Sequence, residues 1–139
     1  NEKNDMYINL IKSYSPDDLS EGAIELLDHF KRNGYRIALA SASNNAPFLL
    51  KAMGIDHYFD AIADPKMIKQ GKPAPDIFLK ACEQLGLSPY ECIGIEDAYA
   101  GIESIKAAGL FPVGIGSREL LSNCEHVFPD LKSFHDFLP

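Results

Sequence analysis

Apolar positions along the chain switch between two periods. Ala23, Ile24, Leu26, Leu27 and Phe30 recur at helical spacing, and Asn33-Gly34 closes that stretch. Residues 36–40, Arg-Ile-Ala-Leu-Ala, are apolar almost without interruption, as suits a short strand buried on both faces. Residues 47–53 then predict a helix stopped at Gly54, and residues 59–63 a weaker strand. The same alternation continues as a helix over 75–85 with Gly86 at its end, a strand over 92–95, a helix over 99–108 closed by Gly109, and a strand over 111–115. A helical tail follows, its last helix over 131–138, with Phe128, Phe134 and Phe137 expected to pack it on the sheet. Residues 5–14 read as a helix of separate character. They lead into Ser15-Pro16-Asp17-Asp18, a turn with an acid to cap the next helix.

Strands alternating with helices imply right-handed crossovers, and so an α/β domain with a mostly parallel, Rossmann-like sheet and helices on both faces. In such a sheet ligands bind beyond the carboxyl ends of the strands. The length, 139 residues, suits one domain, and 46% apolar content supports a real core. A formal charge of −7 without any basic stripe argues against nucleic acid as a partner. No apolar run approaches the roughly 20 residues that cross a bilayer, which argues against a membrane partner. The opening Asn1-Glu2-Lys3-Asn4-Asp5 carries no apolar leader, so the expectation is a cytoplasmic protein. The three cysteines, Cys82, Cys92 and Cys124, form no C-x-x-C pair and read as reduced thiols, the first two as small core residues. His29, His57, His126 and His135 show no ligand spacing.

Three strand ends are polar in an informative way. Ser41-Ala42-Ser43-Asn44-Asn45 offers hydroxyls, amides and the N–H groups of a following helix, which together suit a phosphate; the same residues also suit a plain helix cap. In Gly71-Lys72-Pro73-Ala74-Pro75-Asp76 two prolines stiffen the backbone around one lysine. A lysine so presented can neutralise a phosphoryl group, or can be an ordinary solvated side chain. Glu96 and Asp97 end the 92–95 strand side by side. Two anions there suit Mg²⁺, which is held by a few carboxylates with phosphate oxygens, or they simply favour the positive end of the next helix. Taken together, the three describe a site for phosphoryl transfer with a divalent metal.

With these residues in view, the chain from about Asp17 onward resembles the haloacid-dehalogenase superfamily of phosphotransferases. Ser41 matches its second motif, Lys72 in G-K-P-A-P-D-I-F its third, and Glu96-Asp97 in I-G-I-E-D-A-Y-A-G-I-E-S-I-K-A-A-G its fourth. The runs I-A-L-A-S-A-S-N-N-A-P-F-L-L and Y-F-D-A-I-A-D-P are most similar to the β-phosphoglucomutase family, which interconverts β-glucose 1-phosphate and glucose 6-phosphate. The resemblance implies that Ser41, the Ala42 N–H and Lys72 hold the transferring phosphoryl group. It implies that Ser43, Asn44 and Asn45 hold the distal phosphate of a hexose phosphate, and that Glu96 and Asp97 hold Mg²⁺. Asn44 stands where many relatives carry a cation, which keeps a sugar-phosphate phosphatase in view as an alternative. The family's nucleophile is the first Asp of a D-x-D after an N-terminal strand, and no D-x-D follows an apolar strand in this sequence. That absence keeps a non-catalytic phosphate-binding module in view too, and implies that these residues alone are inactive. The resemblance further implies that residues 1–16 are a remnant of a helical cap with its connector and residues 17–139 a partial core. The central first strand of the sheet would be missing, and the gap would invite self-association or pairing through it.

Overall fold

The computed structural model of the 139-residue chain describes residues 22–41 and 44–139, and the backbone of residues 7–10. Six parallel strands form one sheet: β1 (Tyr7–Leu10), β2 (Ile37–Ala40), β3 (Ala61–Ala63), β4 (Cys92–Glu96), β5 (Phe111–Ile115) and β6 (Val127–Phe128). Their order across the sheet is β3-β2-β1-β4-β5-β6. Among the described residues, α1 (Ala23–Arg32), α2 (Ala46–Ala52), α3 (Asp76–Leu85) and α4 (Tyr99–Ala108) connect successive strands from β1 to β5, and α5 (Leu131–Phe137) follows β6. The expected α/β architecture is therefore present, with helices on both faces.

The faces follow from the two-residue period of the strands. Ile37 and Leu39 point to one side, where they meet α1 through Leu26, Leu27 and Phe30, α2 through Leu50, and α5 through Leu131 and Phe134. Ala38 and Ala40 point to the other, where their small size admits α3 through Ile77, Phe78 and Ala81. Helix α4 covers the same face through Ile102 and Ile105. Cys82 and Cys92 are buried there with their sulfurs 3.5 Å apart, as reduced thiols in the core. The hydrogen bond it shares with Cys82, with burial added, pushes the Cys92 thiol far above its ordinary value. Phe134 is buried under α5 and its ring lies 5.1 Å from that of Phe128, while the exposed Phe137 rests on Phe128 at 5.2 Å.

Two expectations are corrected. The helix expected over residues 5–14 is a strand at residues 7–10; the remainder of residues 1–16 lies outside the described residues. That strand also answers the expected gap. β1 lies between β2 and β4, with Asn9 aligned on Ala38 and on Gly94, so the central slot is filled by the chain itself. A sheet interrupted there would leave two rows of unpaired N–H and C=O groups, and pairing on both edges removes that cost. The reason for self-association through the gap goes with it. The short strand β6, which the reading of a helical tail omits, extends the sheet beyond β5.

Candidate active site at the strand ends

Three connections leave the carboxyl ends of β2, β3 and β4 and meet at one edge of the sheet. Ser41 follows β2 and is buried, its N–H donating to the Ala63 carbonyl at 2.8 Å and so continuing the pairing with β3. After β3, the buried Asp64 caps a 3₁₀ turn over Pro65–Met67 by accepting from the Lys66 N–H at 2.9 Å. The loop before α3 then carries Lys72, and the Lys72–Pro73 peptide is cis. Ser41, Pro65, Ile68, Gly71, Lys72 and Ile77 line one cavity of ≈ 300 Å³.

Lys72 and Glu96 converge as parallel strand ends require. The Lys72 Nζ donates to Glu96 Oε2 at 2.8 Å, and it stands 5.7 Å from the centre of the Phe78 ring. The other carboxylate oxygen, Oε1, accepts from the N–H of Asp97 at 2.8 Å and of Ala98 at 3.2 Å. Glu96 therefore stabilises the start of α4 with its own negative charge, as an anion does at a helix N-terminus. Burial raises the Glu96 carboxyl above its ordinary value, against the opposing pull of Lys72. In compensation, both carboxylate oxygens are hydrogen-bonded, which is what lets a charge stay buried.

The expectation set Glu96 and Asp97 side by side as equivalent ligands; the structure gives them different surroundings. Glu96 faces inward and is engaged, whereas Asp97 is exposed at the rim. Among the described residues no group of three or more His, Cys, Asp or Glu side chains could cage a metal. Two adjacent carboxylates nevertheless suit Mg²⁺, which is held by a few carboxylates and completes its shell with water or phosphate oxygens. Of the other residues expected here, Asn44 and Asn45 are exposed in the turn that opens α2, while Ala42 and Ser43 lie outside the described residues. The inward placement of Glu96 and the burial of Asp64 had no signal in the sequence, since both depend on which helix packs over which strand end.

The comparisons with known proteins converge on one family. Residues 2–109 match the model of the haloacid dehalogenase-like hydrolases. A β-phosphoglucomutase of Bacillus subtilis is 48% identical over 114 residues, which are 82% of this chain and 50% of that protein. A fructose-1-phosphate phosphatase of Escherichia coli is 38% identical over 84 residues, 60% of this chain and 45% of that one. A crystal structure of β-phosphoglucomutase from Clostridium difficile superposes with a TM-score of 0.81 at 41% identity, covering 86% of this chain and 53% of that one. The chain spans about half the length of the relatives it matches. No helix among the described residues is long and apolar enough to cross a membrane.

Proposed function

Because the chain belongs to the haloacid dehalogenase-like hydrolase family, we propose that its site is the phosphate- and metal-binding part of a phosphoryl-transfer centre for a hexose phosphate, of the β-phosphoglucomutase kind. One observation carries the reading: Lys72 and Glu96 are joined at 2.8 Å beside a cavity that Ser41 also lines. In this reading Lys72 offers its ammonium to an oxygen of the transferring phosphoryl group, while Glu96 fixes where that ammonium stands. The Ser41 hydroxyl and the Ala42 N–H donate to the same group. Ser43, Asn44 and Asn45 hold the second phosphate through neutral donors. Asp97, with Glu96 beside it, would hold Mg²⁺, which supplies charge neutralisation at the phosphoryl oxygens. Covalent transfer needs a carboxylate nucleophile and a second carboxylate to move the proton, and the chain offers no D-x-D after a strand for either.

A second reading, a sugar-phosphate phosphatase, is favoured by the neutral, exposed Asn44 and Asn45 and by the phosphatase among the similar proteins. An ammonium or guanidinium would hold a distal phosphate more firmly than an amide does. The test is the fate of the phosphoryl group from β-glucose 1-phosphate with Mg²⁺ and a bisphosphate activator. These residues alone should give no product. With residues 7–13 replaced by a strand ending in D-x-D, glucose 6-phosphate supports the mutase reading and free phosphate the phosphatase. Neither product from that variant would contradict both and leave a binding module.

A further inference from the structure

Two residues of α4 with no part in the chemistry above lie against Glu96 and against the loop that carries Lys72. Gly101 lies in the first turn, and a Cβ placed on it would overlap Cγ, Cδ and Oε2 of Glu96. The Glu96 side chain thus lies in the space that any side chain at position 101 would fill. Glycine weakens a helix relative to alanine, so its presence here calls for a local reason, and the Glu96 carboxylate is one. Ser104 follows three residues later, on the same face of the helix. It is 0% exposed, and its hydroxyl donates to the Ala74 carbonyl at 2.6 Å. Ala74 stands two residues after Lys72, in a loop closed by the bond from its own N–H to the Gly71 carbonyl at 3.0 Å. Helix α4 therefore touches both partners of the ion pair, the acid directly and the lysine through its loop.

We propose that Gly101 and Ser104 are positioning residues that hold the Lys72–Glu96 pair in place, Gly101 by leaving room for the carboxylate and Ser104 by tying the lysine loop to α4. Their importance for phosphate and metal rests on the phosphoryl-transfer reading; their effect on the pair does not. A purely structural role would lower stability without acting selectively on the pair. Ile105, buried on the same helix, supplies the control, since Ile105→Val removes one methylene from the core.

The experiment compares Gly101→Ala, Ser104→Ala and Ile105→Val in the 139-residue chain by amide hydrogen exchange, and then by calorimetry with MgCl₂ and with inorganic phosphate. Gly101→Ala should speed exchange at the Asp97 and Ala98 amides and weaken Mg²⁺ on the order of tenfold, the scale for residues that orient metal ligands. Ser104→Ala should speed exchange at the Ala74 amide and weaken phosphate several-fold, with no further loss when Lys72 is already alanine. Ile105→Val should lower the melting temperature and leave those amides alone. Unchanged amide rates in Gly101→Ala and Ser104→Ala, or equal changes in Ile105→Val at a matched loss of stability, would overturn the proposal. Ser104→Ala, which removes one oxygen, keeps the test decisive where Gly101→Ala does not fold. If the parent chain binds neither Mg²⁺ nor phosphate, the phosphoryl-transfer reading fails, and the amide rates decide the positioning claim alone.

Discussion

At the scale of single residues, the Lys72–Glu96 pair is asymmetric, and the asymmetry has consequences. The Glu96 side chain is 1% exposed and that of Lys72 20%. Lys72→Ala leaves a buried carboxylate without its cation, which should cost about 3 kcal/mol, the low end for breaking a buried pair, because the Asp97 and Ala98 amides remain. Glu96→Gln keeps an oxygen for those amides and lets Lys72 turn its head to water, so about 1 kcal/mol is expected. Urea unfolding of the two variants checks the order; a larger loss in Glu96→Gln than in Lys72→Ala would contradict it. Much of this was legible beforehand. That Lys72 and Glu96 would meet follows from a parallel sheet gathering its strand ends on one side. That Glu96 would turn under α4, against Gly101 and within reach of the Ser104-anchored loop, depends on helix packing that no spacing in the sequence encodes.

At the scale of elements, helices α1, α3 and α4 were legible because each has a strong apolar stripe and a clear stop. Gly86 and Gly109 sit in the left-handed conformation at the ends of α3 and α4, where a side chain would be strained. β1 was misread for a physical reason. Met6, Tyr7, Leu10 and Ile11 fall at spacings that suit one helix face, yet Tyr7–Leu10 pairs on both edges, so the unfilled central slot outweighs local period. β6, of two residues, is too short to show any period. The placement of β1 is testable. Asn9→Pro removes an N–H from the middle of the sheet and should cost about 3 kcal/mol or more, read as loss of cooperative unfolding or a lowered urea midpoint. An unchanged midpoint would remove β1 from its slot. Helix α5 responds to acid. The Ser133 amide holds the Asp130 cap below its ordinary 3.8, and Lys132 does the same for Asp136. Both groups therefore favour the folded chain fully above pH 3.8, and that contribution is lost as pH falls through the lowered values. Burial, then the nearby His135 and Arg32, lower His29 from 6.5, so its contribution is complete above 6.5 and is lost as pH falls through the lowered value. NMR titration should place the His29 midpoint below 6.5 and that of the Ser133 amide below 3.8; a midpoint at or above either value would contradict the account.

At the scale of the whole molecule, two apolar clusters on opposite faces of one parallel sheet carry the strand ends that form the candidate site. The alternation of strand and helix made that architecture legible, and with it the edge where ligands belong. What the sequence could not convey is how the first described segment is used, because one stretch of chain can satisfy a helix pattern and a sheet vacancy equally well. The central claim is that a phosphate site stands here without the carboxylate that would attack the phosphorus. ³¹P NMR of the pure chain with β-glucose 1-phosphate and Mg²⁺ reads both halves of that claim at once. The account predicts a substrate resonance that shifts or broadens with protein concentration, much less so for Lys72→Ala, and no new resonance after long incubation. A growing signal of glucose 6-phosphate or of inorganic phosphate would place a nucleophile within these residues, and a substrate resonance untouched by the protein would remove the phosphate site itself.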